Sequence, residues 1–221
     1  MTDQPRVTPA RPSALQIVTF DRPQAYEPIY QAMRDYTETR NADSPDQLWL
    51  LEHQPVLTQG LAGKPEHILS HSNDLPVIQT NRGGQVTWHG IGQLVGYLLF
   101  DLNRLGWNVR QLVSVTEQAL IDTLADYQIQ ALARPDAPGV YVDGRKIGSL
   151  GFKIRRGCSY HGLSLNIDCG LEGFARINPC GHIGLEVVRL SDLLHPTPTL
   201  LEVQQRLSQH LSAYHQGLKS L

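Results

Sequence analysis

Cys180 has the sequence setting of a reactive thiol. It lies between Pro179, which stiffens the backbone before it, and Gly181, which has no side chain to cover it. A structural cysteine more often lies within an apolar strand or helix, where it fills space. The thiolate is the nucleophilic form of cysteine, so a thiol that attacks a substrate needs a neighbour that lowers its pKa. An inert, space-filling cysteine is the alternative interpretation.

Lys146 is a candidate for that neighbour. It follows the turn-forming pair Asp143-Gly144 and precedes Ile147-Gly148-Ser149. An ammonium about 4 Å from a thiolate contributes about 4 kcal/mol at an effective dielectric near 20, which is enough to bring a thiol pKa below neutrality. A lone lysine after a turn is otherwise a solvated surface charge.

Glycine-rich segments supply backbone that a ligand can approach closely. Five glycines fall within residues 82–97, together with Arg82 and His89. Glycines at this density mark backbone that turns sharply or lets a ligand come near. We expect four such segments to form one site: residues 82–97, 144–151, 161–164 and 178–181.

Other active-site chemistries have weaker support in the pattern. The segment Arg82-Gly83-Gly84 lacks the Gly-x-x-x-x-Gly-Lys-Ser/Thr spacing of a phosphate-binding loop. His89 fits either a general base or a hydrogen-bonded structural histidine. No pair among His161, His182 and the cysteines has metal-ligand spacing, so no metal site is predicted. No Gly-x-Ser-x-Gly sequence is present, which argues against a serine triad.

The composition is that of an ordinary globular protein. The chain has 221 residues, of which 41% are hydrophobic and 18% charged, with a net charge of −2; this predicts one domain with a substantial core. Without a basic run, nucleic acid is not an expected partner. No apolar run approaches the ~20 residues of a membrane helix, and no secretion signal is expected. Three cysteines lie at positions 158, 169 and 180, and they form no Cys-x-x-Cys motif. This pattern predicts free thiols in the cytoplasm. We expect Cys158 and Cys169 to be structural.

Hydrophobic periodicity predicts the elements that would position these residues. Residues 1–13 are expected to form a disordered tail, and residues 14–221 a single catalytic domain. A capping box at Thr199 and Glu202 marks the start of the last helix, and Asp143-Gly144 marks a hairpin turn. Helices are predicted at about 21–40, 109–127 and 200–217, and strands at 15–20, 48–51, 56–58, 77–80, 94–102, 139–142, 146–154 and 159–167. This order predicts an α+β fold with a mixed sheet flanked by helices.

The segments around the candidate site also resemble a known family. The pattern Arg-Gly-Gly-x-x-Thr-aromatic-His-x-x-Gly-Gln at residues 82–93 is similar to the signature of the octanoyltransferases, or lipoyl(octanoyl) transferases. The similarity continues through residues 146–151, 161–166 and 178–181 and covers most of residues 15–195. It implies the mixed-sheet fold of the biotin and lipoate protein ligases, which is related to class II aminoacyl-tRNA synthetases.

The resemblance also implies a role for each residue. Cys180 would accept the octanoyl group, and Lys146 would lower its pKa and shuttle protons. The donor would be octanoyl-acyl carrier protein and the acceptor a lysine of the lipoyl domains of 2-oxoacid dehydrogenases or of the glycine cleavage H protein, with no metal, ATP or other cofactor. The implied substrate-binding residues are Arg82, Gly83, Gly84, Gln85, Val86, Thr87, Trp88, His89, Ser149, Leu150, Gly151, Gly162, Leu163 and Ser164.

Two other functions stay open at this point. An ATP-dependent lipoate or biotin ligase of the same fold would use its lysine on an adenylate and needs no cysteine, so the setting of Cys180 argues against it. A non-catalytic protein that binds acyl carrier protein or lipoyl domains would not need both Lys146 and Cys180.

Overall fold

The computed structural model describes residues 14–70, 74–181 and 184–221, with the backbone alone at Cys180. The predicted tail at residues 1–13 and His182 lie outside the described residues. The strands are β1 (Gln16–Thr19), β2 (Gln47–Leu51), β3 (Val56–Gln59), β4 (Val77–Gln79), β5 (Val86–His89), β6 (Gln93–Leu99), β7 (Leu132–Ala133), β8 (Val140–Val142), β9 (Arg145–Arg155) and β10 (Cys158–Asn166). The helices are α1 (Tyr26–Thr39), α2 (Leu102–Leu105), α3 (Val109–Ala125) and α4 (Leu200–His215).

A seven-stranded mixed sheet forms the centre of the described structure. Its strand order is β1-β2-β6-β10-β9-β8-β7. The β1–β2 pair is parallel, and the other neighbours are antiparallel. A second sheet, with the order β4-β3-β5, was not predicted as a separate unit. The predicted mixed sheet with flanking helices is therefore confirmed.

Side-chain alternation along the central strands gives the sheet two buried faces. Leu94 and Leu98 of β6 pack in one cluster with residues of α3 and α4. Val95 and Tyr97, which point the other way because side chains alternate along a strand, pack in a second cluster with Met33 of α1. The sheet is thus covered by helices on both faces. Within the described residues, no helix combines the length and the apolar character required to cross a bilayer.

Helix α1 begins later than the sequence pattern predicts. The expected start at residue 21 is wrong, because Gln24 is extended and forms a β-bridge with His53. The helix starts at Tyr26, which places Pro28 in the first turn, where its missing N–H leaves no hydrogen bond unmade.

Side-chain caps explain two further boundaries, the end of β6 and the start of α4. The strand predicted to reach Leu102 ends at Leu99, because the Asp101 side chain accepts a hydrogen bond from the backbone N–H of Arg104 at 3.1 Å and caps α2. The capping box of Thr199 and Glu202 at α4 is confirmed. The starts of α2 and α4 are thus each set by a side-chain cap that lies within a few residues in the sequence.

The hairpin that carries Lys146 forms as predicted. Strands β8 and β9 pair antiparallel. Asp143 and Gly144 between them have φ angles of 49° and 77°, which is the left-handed backbone that an Asp-Gly turn tolerates. The turn therefore fixes the position of Lys146 at the start of β9.

Candidate active site

A cavity of about 360 Å³ lies over a row of small residues in the central sheet. Gly162 of β10 pairs with Gly151 of β9, and Ser164 pairs with Ser149. All four line the cavity. Because neighbouring strands place these residues side by side, no large side chain fills the space above them. The small residues predicted for substrate binding thus form the floor.

The roof of the cavity is the glycine-rich segment that begins at Arg82. The backbone N–H of Gly83 donates to the carbonyl of Phe152 on β9 at 2.8 Å. A Cβ atom at Gly151 would lie 3.0 Å from the Gly83 carbonyl oxygen, so the roof approaches the sheet closely because Gly151 has no side chain. The guanidinium of Arg82 donates to the Thr58 carbonyl at 2.6 Å, which ties the roof to β3.

The structure brings most of the predicted site residues together. Trp88 is outside this group: it points away from Thr87 and His89 along β5, and its ring packs edge-on against Phe174 with centroids 5.4 Å apart. The predicted substrate-binding residues that line the cavity are Arg82, Gly83, Gly84, Gln85, Val86, Thr87, His89, Ser149, Leu150, Gly151, Gly162, Leu163 and Ser164, and Lys146 lines it as well. The binding roles themselves stay predictions.

Lys146 is buried at the cavity. The residue is 2% exposed, which rules out a solvated surface charge. Its Nζ donates to the Pro138 carbonyl at 2.9 Å and lies 5.4 Å from the centre of the Tyr141 ring. A buried ammonium that lines a cavity is a candidate for chemistry. Lys146 is therefore a strong candidate for a functional group.

The segment that carries Cys180 lies next to the same cavity. Residues Pro179–Gly181 form one turn of 3-10 helix, closed by a hydrogen bond from the Gly181 N–H to the Asn178 carbonyl at 2.9 Å. A Cβ atom at Gly181 would lie 3.1 Å from the side chain of Gln85, which lines the cavity. The turn therefore abuts the cavity wall.

The chain that follows this turn returns to Lys146. The backbone N–H of Lys146 donates to the Glu186 carbonyl at 2.9 Å, and the Val188 N–H donates to the Lys146 carbonyl at 3.0 Å. On the other side of the turn, the Asn178 N–H donates to the His67 carbonyl at 2.8 Å. Asn178 and residues 186–188 are thus each held by backbone hydrogen bonds, and the second anchor is Lys146 itself.

Three buried histidines near the cavity are neutral at pH 7. Burial lowers the pKa of His53 to about 4. Burial, with a further contribution from neighbouring His53, lowers the pKa of His89 to about 3. Burial and the Arg82 guanidinium lower the pKa of His161 to about 3. An imidazole with a pKa near 3 is a weak base, so the hydrogen-bonded structural interpretation of His89 is the better one.

Hydrogen bonds hold these histidines in place. The His89 ring contacts Gln93 Oε1 at 2.7 Å, and Gln93 in turn donates to Asn166 Oδ1 at 2.9 Å. The His53 ring contacts the Tyr97 hydroxyl at 2.6 Å. Hydrogen-bonded groups connected in this way stabilise a single arrangement of the side chains in the cavity wall.

His161 reaches the cavity through an unusual backbone conformation. Its φ angle is 60° in the middle of β10, a left-handed value that costs about 1–3 kcal/mol for a non-glycine residue. Regular alternation would place Tyr160 and His161 on opposite faces, yet their rings stack with centroids 5.0 Å apart. The conformation therefore turns the His161 ring onto the cavity face.

Several cavity residues were not identified from the sequence. Most are ordinary apolar or aromatic residues of elements far apart in the chain, and the Pro138-Gly139 pair, which marks a loop, was the one local signal. These additional lining residues are Tyr26, Val109, Val113, Asp136, Ala137, Pro138 and Phe152.

Cys158 and Cys169 have the properties of structural cysteines. Both are buried free thiols. Burial raises the pKa of Cys158 above its ordinary value and that of Cys169 to about 12. Neither forms a thiolate at neutral pH, which agrees with their interpretation as space-filling residues.

Sequence relatives identify the family. Residues 25–212 match the lipoyl protein ligase A/B catalytic domain. An octanoyltransferase of Acinetobacter baylyi is 63% identical over 189 residues, which cover 86% of this chain and 84% of the relative. The chain belongs to the octanoyltransferase family. This octanoyltransferase is accordingly an acyltransferase enzyme.

Solved structures show the same fold at low sequence identity. A bipartite lipoate protein ligase of Thermoplasma acidophilum has a TM-score of 0.70 at 13% identity, over 92% of this chain and 83% of its own. The biotin protein ligase of Aquifex aeolicus, in complex with biotin and ATP, has a TM-score of 0.52 at 13% identity, over 90% of this chain and 71% of its own. The predicted fold relationship to both ligase types is confirmed.

Proposed function

We propose that this octanoyltransferase moves an octanoyl group from acyl carrier protein to a lysine of a lipoyl domain, through a thioester on Cys180. The observation that carries the proposal is the burial of Lys146 at a cavity whose wall abuts the turn that contains Cys180. We assign the activity to a single domain over residues 14–221.

The proposed reaction has two acyl-transfer steps. The Cys180 thiolate attacks the thioester carbonyl of octanoyl-acyl carrier protein, the new carbon–sulfur bond forms, and the carrier thiol leaves with a proton supplied through Lys146. The lipoyl-domain lysine then attacks the acyl-enzyme as a free amine, its proton passes to Lys146, an amide bond forms, and the carbon–sulfur bond breaks to release the Cys180 thiolate. The thioester keeps the carbonyl activated between the steps, so covalent catalysis replaces one amide-forming reaction by two exchanges.

The cavity suits an octanoyl chain. Its floor carries only the short hydroxymethyl side chains of Ser149 and Ser164 and no side chain at Gly151 and Gly162. Because His89 and His161 are neutral, the wall carries no imidazolium charge that would oppose an apolar chain. Burial of the chain contributes about 0.8 kcal/mol per methylene group, or about 5 kcal/mol for the six methylenes of octanoyl.

The acceptors we propose are the lipoyl domains of 2-oxoacid dehydrogenases and the glycine cleavage H protein. A thiol nucleophile stays reduced in the cytoplasm, which is the compartment we assign to the reaction. The ligase alternative differs in its energy source, since a ligase activates a free acid with ATP and a transferase receives an already activated thioester.

The test is octanoyl transfer in the absence of nucleotide. Octanoyl-acyl carrier protein, a lipoyl domain and the enzyme are mixed after apyrase treatment, and the mass of the lipoyl domain is measured. We expect one octanoyl group on its lysine. A strict requirement for ATP and free octanoate would instead make the protein a ligase.

A further inference from the structure

Glu117 of α3 lies outside the predicted site but contacts the segment that holds Lys146. Its side chain is half-buried. Its Oε1 accepts a hydrogen bond from the backbone N–H of Gly139 at 3.0 Å. Gly139 is the residue before β8, far from α3 in sequence. This contact therefore fixes the Pro138–Gly139 peptide against the helix.

The Pro138–Gly139 segment encloses the Lys146 side chain. The Pro138 carbonyl accepts a hydrogen bond from Lys146 Nζ at 2.9 Å. Gly139 has a φ angle of 137°, and a Cβ atom there would lie 2.5 Å from Lys146 Cε. Glycine is thus required for the close approach of this segment to the lysine. The position of the segment sets the position of the ammonium.

We propose that Glu117 is a positioning residue for the catalytic lysine: it fixes the Pro138–Gly139 segment, and the Pro138 carbonyl then orients the Lys146 ammonium in the cavity wall. This inference rests on the proposed function of Lys146. Glu117 acts through the backbone of Gly139 and does not contact the acyl group.

The electrostatics of the two side chains agree with this arrangement. Burial raises the pKa of Glu117, while the Gly139 N–H and the Lys146 ammonium both oppose that rise. The carboxylate is thus close enough to interact with the ammonium. Tyr141 on β8 lies beside the Lys146 ammonium, and the Glu186 carbonyl accepts from the Lys146 N–H. Asp136 and Arg82 line the same cavity.

Two substitutions separate the effect of the length of the Glu117 side chain from the effect of its charge. Glu117→Gln keeps an oxygen at the same reach and removes the charge, so the Gly139 contact survives. Glu117→Asp keeps the charge and shortens the side chain by one methylene, so the contact is lost. Gln118→Asn, which shortens the next side chain of α3 in the same way, is the matched control.

The first readout is steady-state acyl transfer. We expect Glu117→Asp to lower kcat by about 10- to 100-fold, since a displacement of about 1 Å in a catalytic group has this effect. KM for octanoyl-acyl carrier protein should change less than twofold. Glu117→Gln and Gln118→Asn should both stay within a few-fold of the parent kcat.

The second readout is the pH midpoint of Cys180 alkylation by iodoacetamide, which a merely structural role would not move. Glu117→Asp should raise the midpoint, because the ammonium no longer sits where it stabilises the thiolate. Glu117→Gln should leave the midpoint unchanged or lower it, because the loss of a nearby anion favours the thiolate.

Equal shifts of the same sign in both variants would overturn the positioning role and leave a charge effect. An unchanged midpoint and kcat in Glu117→Asp would overturn it as well. Lys146→Met separates a failure of the proposed role of Lys146 from a failure of the inference about Glu117. If Lys146→Met leaves the alkylation profile unchanged, the proposed activating role of Lys146 fails. If Lys146→Met shifts the profile and Glu117→Asp does not, the inference about Glu117 alone is wrong.

Discussion

Acidification from pH 7 to pH 5 should destabilise this protein through His53, His89 and His161. The native pKa values are lowered by burial to about 4, 3 and 3, whereas a histidine in the unfolded chain has a pKa of about 6.5. In this pH window the unfolded state binds protons that the native state does not bind. Stability is therefore fully present above pH 6.5 and is lost as the pH falls below that value.

The expected loss follows from the proton balance. At pH 5 each unfolded histidine is almost fully protonated and each buried one almost fully neutral, which removes about 2 kcal/mol per residue relative to pH 7. The three together remove about 6 kcal/mol, a large part of the 5–15 kcal/mol typical of a folded domain. The pKa of Asp46 is lowered by hydrogen bonds from His215 and Arg40, which outweigh its burial, so its contribution is lost only at more acidic pH.

Urea unfolding followed by tryptophan fluorescence at the two pH values measures this loss. His53→Gln keeps a donor for the Gln24 carbonyl and an acceptor for the Tyr97 hydroxyl and does not titrate. The difference in unfolding free energy between pH 7 and pH 5 should shrink by about 2 kcal/mol in this variant. His195→Gln, at an exposed position, is the control and should leave the difference unchanged.

Equal stability of the parent protein at pH 7 and pH 5 would refute the reasoning, because the buried imidazoles would then not be held neutral. An unchanged pH dependence in His53→Gln would refute the assignment to His53. A smaller loss with an unchanged m-value would mean that the cavity wall relaxes to admit a proton.

Three further outcomes are expected. Lys146→Met should move the pKa of the Cys180 thiol toward its ordinary value and reduce acyl transfer steeply. The pKa is measured as the pH dependence of iodoacetamide alkylation, followed by peptide mass spectrometry. Superimposable alkylation profiles of the parent and the variant would contradict the role of Lys146. Gly162→Ala would place a Cβ atom 2.0 Å from the Gly96 carbonyl oxygen and should lower the free energy of unfolding by about 3 kcal/mol. An unchanged melting temperature would contradict the close β6–β10 approach. The leucine side chain of Ser164→Leu should project into the cavity and raise KM for octanoyl-acyl carrier protein by about 10-fold or more. The KM for a butanoyl substrate should rise less. Equal effects on the two substrates would place the acyl chain elsewhere.

The sequence predicted those parts of the fold that depend on short-range signals. The Asp143-Gly144 turn and the capping box at Thr199 each require only neighbouring residues. The start of α1 was predicted wrongly, because Gln24 is drawn into a bridge with His53, which lies 29 residues away. The separate sheet of β3, β4 and β5 likewise depends on pairing between distant segments.

The candidate site divides in the same way. Lys146 and the glycine positions of the floor and roof stood out by residue type, since unusual residues in unusual settings mark chemistry. Tyr26, Val109 and Phe152 did not, because an apolar residue at a cavity looks the same in sequence as one in a core. The left-handed backbone of His161 has no sequence signal, because only the packing around β10 imposes it.

The intact mass of the protein after mixing with octanoyl-acyl carrier protein alone tests directly for an acyl-enzyme on Cys180. We expect a mass increase of one octanoyl group, located on Cys180 by peptide mapping and absent in Cys180→Ala. No increase, or an octanoyl group on Cys158 or Cys169, would contradict the Cys180 thioester.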